Sequence, residues 1–465
     1  MRQQRCRILD NLTMSRLNLM FTISAVSTNV AALPIGIILD RYGPRVCGLI
    51  GSICLAIGAA LFALAQDLPF DGYITGYLFL ALGGPFVYIS SFQLSNCFPQ
   101  HSGLILALLT GAFDSSSALF LAFRLLYQVT DGHLNPKRLF VIYLAVPVFI
   151  FVAQIFIMPA DSYKSVGEVV RLAEEEINAP TPTTDAGIDE AEALWRREDR
   201  RIRRESFLSE INTLLESPEN SKRAKREDTK NKKSGVWGAL HGHSALEQIK
   251  TPWFWLITLF TVVQMLRINY FVATVRPQYE YLLHSDKDAA TVNHIFDVAL
   301  PVGGVISIPF IGSLLDHTST PFTLSSLVVT ATIIGILGCL SYMWAAIANV
   351  CLFVVYRPFY YTTISDYSAK VFGFQTFGKV YGLIICLAGL FNFLEAPLDA
   401  ATHVIFSLNP VPVNIGLLAV ALAVGIGLVS FITIKSRTMR WDILEDEVDG
   451  VREMLMPNAE NGYGT

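Results

Sequence analysis

Charge is what this chain has little of: Asp, Glu, Lys and Arg make up 16% of 465 residues, against 52% hydrophobic residues and a mean hydropathy of +0.45. A water-soluble surface needs more charge than that, so an ordinary soluble protein is excluded and a polytopic membrane protein remains. Cysteine is also sparse. Cys6, Cys47, Cys54, Cys97, Cys339, Cys351 and Cys386 form no Cys-x-x-Cys pair and mostly lie in apolar runs, where they read as small packing hydrophobes rather than a disulfide framework. No Gly-x-x-x-x-Gly-Lys-Ser/Thr loop, His-Glu-x-x-His pair or Gly-x-Ser-x-Gly elbow occurs. Nothing therefore points to ATP hydrolysis, to a zinc site or to a serine hydrolase, and no catalytic residue, cofactor or metal is expected.

What the chain has is apolar length. Runs long enough to cross a bilayer recur near 17–39, 46–66, 73–97, 104–126, 139–158, 253–275, 295–315, 322–344, 346–366, 378–400 and 413–435, about eleven in all. They are continuous rather than alternating, which predicts helices and not barrel strands. Residues 1–16 form a tail, 17–158 a first helical bundle, 252–436 a second, and 437–465 a C-terminal tail. Between the bundles, 159–251 turns abruptly hydrophilic, with Arg196-Arg197, Arg200-Arg201, Arg203-Arg204 and Lys222-Arg223-Ala224-Lys225-Arg226. Val166 to Asn178 has helical spacing, the proline-rich stretch Ala179 to Thr184 breaks it, and the rest reads as largely disordered. Acidic residues interleaved with the basic clusters argue against nucleic acid as a partner. Arg203-Arg204-Glu205-Ser206 fits a basophilic-kinase pattern.

Orientation follows from positive charge near the membrane ends. Arg41, Arg45, Lys164, Lys250, Lys370, Lys379, Lys435, Arg437 and Arg440 share one side if the first span runs inward, so that side, with the central loop and the C-terminal tail, is expected to be cytosolic. Arg2, Arg5, Arg7, Arg16, Lys137 and Arg138 fall on the far side against the rule, beside an Asn11-Leu12-Thr13 sequon.

The first span ends in Gly36-Ile37-Ile38-Leu39-Asp40-Arg41-Tyr42-Gly43-Pro44-Arg45, and the second half echoes it in Gly312-Ser313-Leu314-Leu315-Asp316-His317. Two Gly-x-x-x-Asp ends, each followed by a similar series of spans, indicate duplicated halves. Aligning the halves sets the 253–275 span against nothing before Leu17. The chain is thus expected to be an N-terminally incomplete six-plus-six protein of five spans and then six, through start-site choice or real truncation, with no cleavable signal.

Gly36, Asp40, Arg41, Gly43 and Arg45 match Gly-x-x-x-Asp-Arg-x-Gly-x-Arg, and the chain resembles the major facilitator superfamily. That resemblance implies an all-α, two-bundle fold in which this cluster latches the second helix against the eleventh, here beginning near Phe377-Gly378-Lys379, when the cytosolic gate is closed. Leu17 to Ile23, Leu104 to Phe113 with Ser115-Ser116-Ser117, Leu266-Arg267-Ile268-Asn269-Tyr270, and Phe377 to Leu383 resemble the solute-carrier branch of large neutral amino acid facilitators and its fungal relatives, which includes a purine nucleobase carrier. The implied activity is facilitative transport of a small organic solute across a plasma or vacuolar membrane.

Ionisable residues within a bilayer are costly unless they pair or face water, which singles out Asp114, Arg124, Arg267, Asp297, Arg357 and Glu395. The resemblance implies that the spans of Gln93, Arg267 and Arg357 line the cavity. The arginines suit a substrate carboxylate and Asp114 or Glu395 an ammonium, with Gln264, Asn269, Tyr360 and Tyr361 as neutral contacts. The competing structural reading pairs Arg267 with Glu395, or Arg357 with Asp366, as ties between helices. A non-transporting sensor or scaffold descended from a transporter, its basic loop on anionic lipid, is a different class of function. The sequence leaves the oligomeric state open.

Overall fold

The computed structural model describes residue 24, residues 26–129, residues 136–159, residue 226 and residues 229–455. The expected N-terminal tail with its sequon, the 166–178 helix and the Ser206 pattern lie outside the described residues.

Every regular element described is helical, and among the described residues nine helices are long and apolar enough to cross a membrane. Two local features separate nine from the expected eleven or so. Helix α1 (Ala32–Leu64) joins the spans expected at 17–39 and 46–66, because the chain turns inside it at Gly43 (φ 79°) and re-enters helix through Pro44. A positive φ of this size is open to glycine and strained for other residues. After α2 (Gly72–Ser91), the span expected at 104–126 divides into α3 (Ser102–Ser115) and α4 (Ala118–Val129), each too short to cross alone. Three consecutive serines explain the break: Ser115, Ser116 and Ser117 donate their hydroxyls back to the carbonyls of Gly111, Phe113 and Asp114 at 2.6, 2.6 and 2.8 Å, in competition with the helical ladder.

The first half closes with α5 (Pro136–Tyr143) and α6 (Ala145–Phe156). The second half follows the short α7 (Ala245–Ile249) with α8 (Pro252–Leu283), α9 (Asp286–Ile306), α10 (Ile308–His317), α11 (Thr320–Leu337), α12 (Met343–Phe372), α13 (Phe377–Phe391), α14 (Glu395–Ala400) and α15 (Val411–Leu455). Helix α15 runs through position 436 without a break, so the boundary expected there between last span and tail is not a helix end. Apolar side chains occur both outside and inside: Phe149, Phe156 and Val404 stand exposed, as a lipid-facing surface allows, while Phe254, Phe260, Tyr360 and Tyr367 are fully buried.

The expectation of a largely disordered central loop is corrected for its final part. Residues 229–251 are laid against the second half, with Val236 and Leu240 buried. Gly238 N and Leu240 N donate to the carbonyls of Lys370 and Val371 (3.0 Å each), and the Gln248 amide donates to those of Leu240 and Phe372 (2.9 Å each). Helix α7 is fixed by a capping box, Ser244 and Glu247 each bonding the other's backbone N–H. Composition hid this order because the segment is held by a few apolar contacts and backbone bonds rather than by a periodic apolar face.

Candidate functional site

The two Gly-x-x-x-Asp ends make equivalent contacts across the seam between the halves. Asp40 accepts from the backbone N–H groups of Gly378 (2.8 Å) and Lys379 (2.9 Å), the first turn of α13. Asp316 accepts from those of Gly103 (2.9 Å) and Leu104 (3.1 Å), the first turn of α3. A carboxylate suits both places because a helix N-terminus carries unpaired N–H groups and partial positive charge. The glycines make room: a Cβ on Gly36 would run into the Gly378 carbonyl, and one on Gly312 would lie 2.8 Å from Leu104 Cα. Arg45 donates to the Met158 carbonyl at 2.9 Å, and Arg41 stacks on the Tyr42 ring at 5.4 Å. One more residue joins the second contact only. Lys230 reaches Asp316 at 2.7 Å and also the carbonyls of Pro99 and Gln100 and the Ser102 hydroxyl.

Beyond these contacts the seam is filled by rings and then by an ion pair. Phe92 meets Phe377 and Tyr381 edge-on at 5.9 and 5.5 Å, and Tyr88 packs on Phe92 at 4.7 Å. Asp114 on α3 and Arg357 on α12 pair at 3.1 Å, joining the halves where Gly111 and Gly304 let their helices approach closely. Asp114 is 1% exposed and Arg357 20%. Asp114 Oδ2 and Arg357 Nε have no hydrogen-bond partner among the described residues, so the pair is incompletely satisfied. Tyr88 donates to the Thr110 hydroxyl one helical turn away at 3.3 Å.

The other candidates scatter. Arg267 and Gln264 bond each other at 3.2 Å and line a cavity inside the second half, away from the Asp114–Arg357 pair. Asn269 is half-exposed and is not part of that cavity wall. Gln93 is buried at the end of α2, before a short turn of helix, Leu94–Cys97. The Tyr360 hydroxyl is engaged by the Thr261 carbonyl at 2.9 Å. Glu395 is half-buried at the start of α14. Neither structural tie proposed from sequence forms among the described residues: Arg357 takes Asp114 rather than Asp366, which bonds Lys370 at 2.6 Å, and Arg267 has no carboxylate partner. Helical spacing explains the first correction, since Asp366 and Lys370 are four residues apart on one helix face. Tyr88, Thr110 and Lys230 went unsingled by sequence reasoning; a hydroxyl inside an apolar span was the available signal for the first two, and Lys230 was lost in a run of charge.

Helix-only architecture, paired carboxylate contacts and a polar mid-seam define a class. Residues 10–396 match the family described as Major Facilitator Superfamily, and the chain belongs to it. That makes it a multi-pass membrane protein of a transporter family. It is 50% identical over 436 residues to Protein FMP42 of Saccharomyces cerevisiae, covering 90% of this chain and 84% of that protein. It is 23% identical to the human Large neutral amino acids transporter small subunit 3 (87% and 80% covered) and 24% identical to the Bos taurus Equilibrative nucleobase transporter 1 (90% and 83% covered). In fold it is similar to the proton:xylose symporter XylE bound to 6-bromo-6-deoxy-D-glucose, with a TM-score of 0.56 at 11% identity over 91% of this chain and 86% of that one.

Proposed function

We propose that the chain is a facilitative carrier that moves a large neutral amino acid across a plasma or vacuolar membrane by alternating access, with Asp114 and Arg357 at its substrate site. One observation carries this: the ion pair that ties the halves together at mid-membrane offers the two charges an amino acid complements, and each member keeps an unpartnered atom. A zwitterion entering there exchanges one internal pair for two, its carboxylate on the planar Arg357 fork and its ammonium on Asp114. The direct tie between the halves is then replaced by one running through the solute, which couples occupancy to their relative movement. Gly36, Asp40, Arg41, Gly43 and Arg45 form the gate on the face read as cytosolic. The resemblance to an amino acid transporter supports this reading.

A nucleobase is the second reading, favoured by the resemblance to a nucleobase transporter and by the Tyr88, Phe92 and Tyr381 rings beside the pair. Uptake of radiolabelled leucine and adenine into vesicles containing the full chain separates the two. Saturable leucine uptake that Asp114→Asn reduces by tenfold or so, at unchanged abundance, is the expected result. Removing one member of a buried pair endangers folding, so the exchanged pair Asp114→Arg with Arg357→Asp is the companion variant. Adenine uptake without leucine uptake overturns the amino acid assignment, and binding without flux overturns transport.

A further inference from the structure

The cavity around Arg267 lies wholly within the second half, walled by residues of α8, α11, α12 and α15. Its polar lining includes Arg267, Gln264, Asn349, Tyr356 and Asn414, and apolar groups such as Phe271, Phe353, Ile334 and Leu417 complete the wall. It leaves about 50 Å³ open to water-sized groups, room for roughly four waters or for a carboxylate on a short apolar stem.

The polar side of that wall is underused. Arg267 donates to the Gln264 side-chain oxygen at 3.2 Å and to the Ala331 carbonyl at 3.1 Å, both neutral acceptors, so its charge has no counter-ion among the described residues. Tyr356 is 3% exposed with an unpartnered hydroxyl, and Asn349 is 1% exposed with an unpartnered side-chain oxygen. A partly buried cation without a counter-ion is costly, as are the orphan polar atoms beside it. Yet the fold makes room for the cation: a Cβ on Gly335 would lie 2.8 Å from the Arg267 guanidinium. Glycine there keeps the head group extended into the cavity.

We propose that this cavity is a binding site for a small monocarboxylate, with Arg267 as its counter-ion, the Tyr356 hydroxyl as a second donor, and the stem against Phe271, Phe353 and Ile334. The site is separate from the Asp114–Arg357 pair and does not depend on the transport reading, because its four helices all belong to one half. Gly338, Asn349 and Asn414, near helix ends, line the part of the cavity furthest along the helices from Asp316.

The test is thermal unfolding of the purified full chain in detergent, titrated with butyrate, with butyramide as the uncharged analogue and with chloride as the inorganic anion. Butyrate raises the unfolding temperature saturably, and butyramide and chloride do not. Arg267→Gln weakens the butyrate effect about tenfold or more, while Arg276→Gln, at the exposed arginine of the same helix, leaves it intact. Should Arg267→Gln not fold, Asn414→Leu, which retains the arginine and makes the lining apolar there, must weaken butyrate comparably. Equal responses to butyrate and chloride overturn the carboxylate assignment. No response to butyrate, loss of the response in Arg276→Gln alone, or its persistence in both cavity variants overturns the site. Leucine uptake is read separately, so failure here is distinguishable from failure of the carrier proposal.

Discussion

The contact at Asp40 and the contact at Asp316 are built from the same parts and held in different ways. Each sets a carboxylate on the first two free N–H groups of a helix from the other half. At Asp40 the work is steric as well: Gly378, Gly382 and Gly389 lie one and two turns apart along α13, and Gly36, Ala32 and Asn29 of the first half press against them in order. Small residues in register let two helices approach until their backbones touch. At Asp316 the approach is looser, and a third party compensates, since Lys230 brings an ammonium to the carboxylate and to three oxygens of the first half. Duplication thus preserved the carboxylate geometry while close backbone packing and ionic bridging took over different copies.

The largest expected effect comes from forcing a methyl into the tighter copy. Gly36→Ala is expected to lower stability by about 3 kcal/mol or more, because the backbone it meets cannot yield, whereas Gly312→Ala costs about 1–2 kcal/mol. Unfolding temperatures of the two variants in one detergent check the ranking, and equal losses would mean that the two copies are equally tightly packed. Next, Asp316→Asn loses two charge-assisted bonds and a lysine partner, about 2–4 kcal/mol, against about 1–3 kcal/mol for Asp40→Asn. Thiol labelling of a cysteine placed at position 99 should rise more in the first variant than in the second.

Lys230→Met should act on one copy alone, by about 1 kcal/mol, and added salt should mimic it partly. Salt sensitivity that survives the substitution would assign the effect elsewhere. The smallest effect concerns the segment that delivers Lys230. Hydrogen bonds from the Ser244 backbone and side chain hold the Glu247 carboxyl below its ordinary value. A lowered folded-state value means that this support is present above the ordinary glutamate range and fades as pH falls through the folded-state value. Hydrogen-exchange protection of 244–248 should therefore decline on acidification, and Glu247→Gln should remove that dependence while leaving the Asp40 contact unaffected.

The spans were legible because apolar length is a property of sequence, and the paired Gly-x-x-x-Asp ends because glycine and aspartate at that spacing serve one geometry. Legibility stopped where partners lie far apart in the chain. Asp114 and Arg357 each stood out as buried charges, but which carboxylate would meet which arginine depends on helix packing. Lys370, four residues from Asp366, settles that case only once its side chain is seen to turn back along its own helix. The orientation of Arg267 was illegible for a related reason: α8 is nearly uniformly apolar, with buried residues on most of its circumference, so spacing does not say whether position 267 faces the seam or the interior of its own half. The order in 229–251 was missed because short hydrogen-bonded turns leave no periodic trace.

That connector has a directional consequence. Its backbone N–H groups donate to the Lys370 and Val371 carbonyls and its Gln248 amide to that of Phe372, and Gly235 lies against Ser436, all in the second half. In the proposed carrier cycle, in which the halves separate at this face, the connector would be carried along with its hosts like cargo lashed to one hull, and Lys230 would be the mooring line that must slip.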